Sequence, residues 1–253
     1  MEDMMNKIQN LEQQCDTISA EIIGSIVKIR PKGSRLIQSA GFIWRNELTD
    51  FLDLLLKRDS IKVVIIMNIP QKINCEEYIE FYGTVPKNKL NKAAVLRMYR
   101  SVDKLILKIM ESDKFFISVD SGKIYPQLFS MSLACDYRIV ADNTVFKNTF
   151  LKQGMAPKGG EAYFLGKRLG HSKAFELLLS DKEVTAQEAL ELGIVNKVAP
   201  LSELEQMALE KAKYFAQNPA DSLAGIKKLL NYSTKELTDY LEFENKTLMH
   251  ILG

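Results

Sequence analysis

Lys158 and Glu161 are the residues whose types and spacing most directly suggest chemistry. They lie three positions apart in the stretch PKGGE, residues 157–161, where a helix is predicted to begin. A lysine desolvated beside a carboxylate could shuttle a proton or hold an anionic group of a substrate. The simpler alternative is a solvated first helical turn in which the helix dipole favours Glu161, and it needs no function.

Ser130 is a second candidate, because its position at a helix start could expose a nucleophilic hydroxyl. Such a serine needs an activating base, and the sequence near it offers none. His171, at the start of a later helix, is better explained as a surface residue of the cap region. Asp120 and Ser121 precede Gly122 and are explained as turn formers. We therefore do not predict a serine hydrolase.

The histidines and cysteines argue against metal and disulfide chemistry. His171 and His250 are the only histidines, so one chain cannot build a His-rich site, and we predict no metal. Cys15, Cys75 and Cys135 are odd in number and lack CxxC spacing. This usage is typical of reduced, buried thiols in a cytosolic protein.

Charge and hydropathy restrict the partners. The 253 residues include 34 basic and 32 acidic ones, for a net charge of +2. No global positive field is available to hold a polyanion, so we predict no nucleic-acid partner. The sequence has no signal peptide and no run of about 18 uncharged apolar residues. We expect a soluble, cytoplasmic protein without a membrane partner.

The hydrophobic pattern predicts the elements that must position these residues. A polar helix candidate opens the chain, and alternation around Gly24 predicts a hairpin that ends at Pro31. Amphipathic spacing predicts helices over about 40–58 and 89–111, and continuous apolar runs predict buried strands over 61–67 and 114–120. Residues 68–88 resemble a loop. This alternation is typical of a mostly parallel sheet with right-handed crossovers.

Beyond Pro157 the pattern becomes almost wholly helical. Thr185 and Glu188 have the spacing of a capping box, and Gly193 is placed to end the helix that follows. No fixed-period repeat or low-complexity tract interrupts the chain. The size allows one substantial core with a smaller appended element.

Two blocks of the sequence carry a recognisable pattern. They are SLACDYRIVADNTVF, residues 132–146, and PKGGEAYFLGKRLGHSKAFELLLSDKEVTAQEALELGIVNKVAP, residues 157–200. Both blocks resemble the crotonase family, also called the enoyl-CoA hydratase/isomerase family. The resemblance implies an α/β fold, with a crotonase-like ββα spiral core over 1–196. A helical C-terminal oligomerisation region, 197–253, would form a homotrimer or a dimer of trimers. Asp136 and Arg138 in the first block are expected to form an ion pair that supports the fold.

The resemblance also implies a pocket for an acyl-CoA thioester, with coenzyme A as part of the substrate and no separate cofactor. Two backbone N–H groups form the oxyanion hole of this family, and the three glycines around the first donor fall on Pro126, Gln127 and Leu128. Proline is tolerated at the first helical position, so the Gln127 amide can still donate, although the side chains narrow the hole. The second donor falls within residues 71–78, where Cys75 or Asn74 is the candidate.

The two carboxylates of the hydratases fall on Ser130 and Phe150, and neither residue can do acid–base work at neutral pH by itself. The resemblance therefore implies an acyl-CoA enzyme of fatty-acid metabolism that departs from hydration, an isomerase, a decarboxylase of the lyase class or a related enolate enzyme. The predicted catalytic residues are Gln127, Lys158, Glu161 and Ser130. The predicted substrate-binding residues are Asn74, Tyr125, Leu128 and Phe150.

These losses at functional positions leave a second interpretation open. The chain could be a non-catalytic member that keeps the fold as a scaffold or regulatory subunit for a partner. A basic run has two explanations as well, contact with coenzyme A phosphates or a solvated helix face. It comprises Lys87, Lys89, Lys92, Arg97, Arg100 and Lys104.

Overall fold

The computed structural model of the protein describes residues 18–31, 40–68, 91–180 and 182–252. Several sequence predictions lie outside these ranges. They are the N-terminal helix, most of the 68–88 loop with Asn74 and Cys75, and the residues Cys15, Lys87 and Lys89.

A six-stranded sheet forms the centre of the described structure. Strands β1 (Ile18–Ile23) and β2 (Ile26–Pro31) make the predicted antiparallel hairpin, and Gly24 in its turn has φ of 61°. The sheet continues through β3 (Val63–Asn68), β4 (Phe115–Asp120), β6 (Tyr137–Ala141) and β9 (Lys197–Ala199), numbered in chain order. The strand order is β1-β2-β3-β4-β6-β9, and every pair from β2 onward is parallel. The predicted parallel sheet is thus confirmed.

A second, small sheet joins three two-residue strands. These are β5 (Lys123–Ile124), β7 (Val145–Phe146) and β8 (Val184–Thr185), in the order β5-β7-β8. The β5–β7 pair is parallel and the β7–β8 pair is antiparallel. The pattern beyond Pro157 gave no sign of β8 or β9, because such short strands carry too few residues for a period to appear.

Helices connect and cover the strands. They are α1 (Ala40–Leu55), α2 (Lys92–Glu111), α3 (Pro126–Ala134), α4 (Glu161–Leu169), α5 (His171–Leu178), α6 (Ala186–Glu191), α7 (Leu204–Ala216), α8 (Ala220–Leu230) and α9 (Leu237–Ile251). Within the described ranges, none of them has both the length and the apolar character that a membrane span requires.

Local sequence signals explain where several helices begin and end. The side chain of Asn91 caps α2 by accepting the Ala93 N–H at 2.8 Å, which satisfies a donor that the helix itself leaves unpaired. The predicted capping box precedes α6: Thr185 Oγ1 accepts the Glu188 N–H at 3.2 Å, and Glu188 Oε2 accepts the Thr185 N–H at 2.9 Å. Gly193 follows with φ of 72°, a conformation that ends a helix at little cost for glycine.

The sheet is buried on both faces, which explains the continuous apolar runs in its strands. All six residues of β3 are buried. Val64 and Ile66 contribute to the core that contains α1, α2 and α3 residues, whereas Val63 and Ile65 contribute to the core that contains α7 residues. Alternate side chains of one strand therefore pack against the helices on opposite faces of the sheet.

Asp136 and Arg138 support the fold, but the predicted ion pair between them is wrong. Asp136 Oδ2 instead accepts Lys227 Nζ at 2.8 Å and the Phe116 N–H at 2.7 Å. Arg138, 2% exposed, donates to the carbonyl oxygens of Ile194 and Cys135 at 2.6 and 2.7 Å. The partners of both side chains lie on other elements, which the spacing of the two residues in the sequence could not indicate.

Cys135 is buried, as expected for a small hydrophobic residue. It is 2% exposed with a free thiol, and its Sγ lies 3.5 Å from the Met131 carbonyl oxygen. Burial raises the pKa of this thiol, because a thiolate would lose its hydration there.

Candidate active site

The first turn of α3 carries the predicted oxyanion donor. Pro126 is the first helical residue and Tyr125 precedes it without a side-chain cap. The Phe129 N–H makes the first backbone hydrogen bond of this helix and donates to the Tyr125 carbonyl oxygen at 3.0 Å. The helix therefore supplies no acceptor for the Gln127 N–H, as is usual for the second residue of a helix.

A turn of two left-handed glycines leads into α4 and lies against α3. Gly159 and Gly160 have φ of 76° and 72°, a region that other residues enter only with strain. A Cβ on Gly159 would lie 3.0 Å from the side chains of Ile106 and Ser130. Glycine at 159 thus allows the turn to approach α2 and α3 more closely than any other residue type would.

Lys158, just before this turn, is buried among charged groups. Its side chain is 1% exposed, and its Nζ contacts Asp103 Oδ1 and lies 3.0 Å from Glu244 Oε1. It also lies 5.5 Å from the centroid of the Tyr99 ring, within the range of a cation–π contact. The interpretation of Lys158 as part of a solvated turn is wrong.

Glu244, on α9, binds the glycine turn as well as the lysine. Its Oε1 accepts the Gly159 N–H at 2.7 Å and its Oε2 accepts the Gly160 N–H at 2.9 Å. The next residue, Asn245, donates from Nδ2 to Asp103 Oδ2 at 2.7 Å. Burial raises the pKa of both Asp103 and Glu244, and Lys158 opposes this effect.

Glu161 is the first residue of α4 and is also buried, with 3% of its surface exposed. Its Oε2 lies 3.5 Å from Ser130 Oγ, at the limit of a hydrogen bond. Burial, and then repulsion by Glu244, raise the pKa of Glu161 well above its ordinary value, and the Ser130 contact opposes them. The solvated alternative is therefore wrong for Glu161 too, because burial disfavours the charged form of this carboxyl.

Ser130 joins α3 to the turn rather than acting with a histidine. Its Oγ lies 2.9 Å from the Pro126 carbonyl oxygen and 2.6 Å from the Lys158 carbonyl oxygen. His171, by contrast, is exposed at the start of α5. The structure thus brings together Ser130, Lys158 and Glu161 and leaves His171 at the surface, as the sequence indicated.

A cavity of about 30 Å³ adjoins Glu161, with room for about two water molecules. Its walls are mainly apolar and include Phe129, Phe146, Leu165, Val184 and Ile194. Besides Glu161, its polar lining residues are Lys147, Asn148 and Lys182. A buried carboxyl beside a small apolar cavity is a common setting for acid–base chemistry.

Phe150 and Tyr125 belong to one apolar cluster of buried residues. The cluster also contains Tyr99, Met155 and Leu248 from neighbouring elements. Phe150 is 4% exposed, so an aromatic ring fills space where the resemblance placed a carboxylate. Leu128 is half-buried and packs against the main core.

Two further sequence predictions have clear outcomes. The described part of the basic run, Lys92, Arg97, Arg100 and Lys104, lies exposed on α2, as a solvated helix face would. Asp120 is not a turn former but a fully buried carboxyl, which accepts Asn68 Nδ2 at 2.9 Å and the hydroxyls of Ser118 and Ser132 at 2.8 Å each. Burial raises the pKa of Asp120.

Sequence reasoning missed Asp103, Glu244 and Asn245, although a signal was present. On α9, Leu237, Leu241 and Leu248 are buried, and residues 244 and 245 fall on the same helical face. Asp103 likewise lies within the buried face of α2. Polar residues at core positions of an amphipathic pattern indicate a buried polar network.

The sheet order, the small second sheet and the glycine turn against α3 define a crotonase-type fold. A family model, Enoyl-CoA hydratase/isomerase, matches residues 43–252. The chain therefore belongs to the enoyl-CoA hydratase/isomerase family, a family of acyl-CoA-processing enzymes, and the resemblance noted in its sequence is confirmed.

Individual relatives are distant. A trans-2-decenoyl-[acyl-carrier-protein] isomerase of Streptococcus mutans is 23% identical over 204 residues, which are 80% of this chain and 76% of that protein. An enoyl-CoA hydratase from Bacillus halodurans superposes with a TM-score of 0.83 at 23% identity, over 94% of this chain and 95% of that one. A methylmalonyl-CoA decarboxylase in complex with 2-nitronate-propionyl-CoA gives 0.75 at 20% identity, over 94% and 90%. At such identities the structural likeness concerns the fold alone.

Proposed function

We propose that the protein catalyses proton transfer on an acyl thioester without adding water, as in the isomerisation of a double bond or a related enolate reaction. The observation that carries the proposal is the setting of Glu161, a buried carboxyl of raised pKa beside Ser130 and a small cavity. A strong carboxylate base in a dry site suits removal of a weakly acidic C–H proton.

Glu161 and Gln127 have separate roles in this reaction. The Gln127 N–H donates a hydrogen bond to the thioester oxygen as negative charge develops there. One such donor stabilises the transition state by about 3–4 kcal/mol. Glu161, as the carboxylate, takes a proton from one carbon of the acyl chain and returns it to another. No atom is gained or lost overall, so a single carboxyl is enough. Asn74 or Cys75 remains the candidate for the second donor.

Hydration would require groups that this site does not offer at the expected places. Ser130 contacts two carbonyl oxygens and a carboxyl that is itself buried. Phe150 is an aromatic ring within an apolar cluster. Neither can activate a water molecule, which needs a base within hydrogen-bond reach. The isomerase among the relatives agrees with this proposal.

The proposal includes a homotrimer or a dimer of trimers in the cytoplasm. Large apolar side chains on α8 and the turn after it are more than half exposed in one chain: Ile226, Leu229, Leu230 and Tyr232. Such an exposed patch suits burial against another copy. Sedimentation at several protein concentrations measures this assembly, and a monomer at all of them would contradict it.

Binding and turnover can be measured separately. We expect calorimetry with a panel of short, medium and aromatic acyl-CoA thioesters to detect binding, and no binding at millimolar ligand would refute the proposal. With a bound 3-enoyl or 2-enoyl thioester, chromatography with mass spectrometry should detect an isomer of equal mass with a displaced double bond and no 3-hydroxy product. Glu161→Gln should abolish this conversion, whereas Glu176→Gln, at an exposed ion pair with Lys173, should retain it.

The burial of Lys158 and of the apolar cluster around Phe150 also favours a second candidate function, that of a non-catalytic scaffold. Lys158 is already paired with two carboxyls, and Phe150 and Tyr125 are buried in one apolar cluster. A scaffold would bind no acyl-CoA and would co-purify from its native source with one stoichiometric partner. An enzyme would bind the thioester and needs no such partner.

A further inference from the structure

The C-terminal helix α9 inserts two polar residues into the core beside the candidate site. Glu244 and Asn245 are 6% and 2% exposed and share a face with Leu237, Leu241 and Leu248. Burying a carboxyl and an amide is costly unless both are hydrogen-bonded. Their partners therefore show what α9 holds in place.

The partners of Glu244 all belong to the turn that carries Glu161. Two are the N–H groups of Gly159 and Gly160, at 2.7 and 2.9 Å, and the third is Lys158 Nζ, at 3.0 Å. Gly160 is the residue just before Glu161 and caps α4. The turn has little freedom on its other side, because Gly159 lies against Ser130 and Ile106.

We propose that Glu244 is a positioning residue: it fixes the turn that carries Glu161 and places a second carboxylate beside it, so that the C-terminal helix is an integral part of the proton-transfer site. The catalytic meaning of this inference rests on the proposed function. The physical coupling between the two carboxyls does not.

The charged and titratable groups around Glu161 favour Glu244 as the one that acts on it. Lys158 and Asp103 are engaged with each other, and Lys147 and Lys182, at the cavity, pair with Glu183 and Glu188. Tyr240 lies on α9, and its pKa is raised to about 12. Burial is the main cause, and the charges of Glu244 and Glu161 add to it. The tyrosine is thus neutral at physiological pH, whereas Glu244 carries a charge that repels the ionised form of Glu161.

The test is a titration of Glu161 in the intact protein. Carbon-13 in the glutamate side-chain carboxyls reports each ionisation by NMR, and Glu161→Gln identifies the Glu161 signal. In Glu244→Gln, which keeps the size of the side chain and removes its charge, we expect Glu161 to titrate at lower pH than in the wild type. Glu242→Gln is the control, because Glu242 lies on the same helix but is 51% exposed, and it should leave the Glu161 titration in place.

Equal titration of Glu161 in the wild type and in Glu244→Gln would overturn the inference. If Glu244 only holds the turn and has no electrostatic effect on Glu161, this result is expected as long as the burial of Glu161 is retained. Should Glu244→Gln fail to fold, Glu244→Asp keeps the charge on a shorter side chain. It should hold the Glu161 titration near the wild-type position while hydrogen exchange of the Gly159 and Gly160 amides quickens, and unchanged exchange would equally overturn the inference.

The same variants separate this inference from the proposed function. The carboxyl titration uses no substrate, so absence of acyl-thioester turnover in the wild type would refute the function and leave the coupling intact. If turnover is found, its pH profile should move in Glu244→Gln in the direction in which the Glu161 titration moves, and should not move in Glu242→Gln.

Discussion

Lys227 and Asp136 meet in the core, where Lys227 Nζ lies 2.8 Å from Asp136 Oδ2. The same ammonium donates to the carbonyl oxygens of Ile109 and Lys114 at 2.8 and 2.9 Å. One buried cation thus joins α8 to the end of α2, the start of β4 and the start of β6. The C-terminal part of the chain is held to the sheet by charge as well as by apolar packing.

Lys227→Met should therefore destabilise the protein by about 3–5 kcal/mol, because it leaves a buried carboxylate without its cation. Urea unfolding at neutral pH measures the loss. The control is the next residue: Lys228 pairs with Asp113 at 2.7 Å but its side chain is 66% exposed, so Lys228→Met should cost about 1 kcal/mol or less. Similar losses in the two variants would contradict this account.

Lys158→Met should likewise cost about 3–5 kcal/mol at neutral pH, since Asp103 and Glu244 then face each other without a cation. Both carboxyls would bind protons more tightly in the folded state, so the loss should shrink as the pH falls towards their ordinary range. Urea unfolding between pH 5 and pH 8 measures this trend. Lys173→Met removes an exposed partner of Glu176 and should show neither the loss nor the trend.

Glu161 should make the stability of the wild type depend on pH. Its folded pKa is raised above the ordinary value of 4.5, so in the range between them the native state holds a proton that the unfolded state has released. Its contribution is full at low pH and is lost as the pH rises, by up to about 1.4 kcal/mol per pH unit. The stability of Glu161→Gln should fall less steeply over that range, whereas Glu176→Gln should follow the wild type. Parallel curves for all three would refute the raised pKa.

Gly159→Ala should be more damaging than Gly154→Ala, although both glycines have positive φ, 76° and 65°. Both variants incur backbone strain of about 1 kcal/mol. Only at 159 does the new methyl meet neighbours, 3.0 Å from Ile106 and Ser130, whereas nothing lies within 4 Å at 154. The difference between the two free energies of unfolding isolates the steric part, and no difference would mean that the turn can move away from α3.

Much of the fold could be predicted because its signals are local. The apolar run of β3, the hairpin at Gly24 and the Thr185–Glu188 capping box each depend on residues within a few positions of one another. The family resemblance added the arrangement of these elements. The strands β8 and β9 escaped notice because two or three residues cannot show a period.

The candidate site was less accessible to sequence reasoning, because its partners come from distant segments. Lys158 and Glu161 were singled out from the sequence as site candidates, and both are buried. The alternative explanation of a solvated turn considered only their own segment. Glu244 is 86 positions from Lys158, and Asp103 is 55 positions from it. The burial of Lys158 therefore becomes visible only when α2 and α9 pack around it. Conversely, the ion pair of Asp136 and Arg138 was expected from the family resemblance, whereas the folded chain gives each residue other partners.

The buried thiol of Cys135 offers a clock for the opening of this core. Because its thiolate is disfavoured and its sulfur is shielded at the end of α3, alkylating reagents should modify it only in molecules that have transiently unfolded there. The rate at which the peptide containing Cys135 gains the label, followed by mass spectrometry, would therefore time the exposure of the helix that begins at Pro126. An acyl thioester that binds to this helix would lower the rate of labelling.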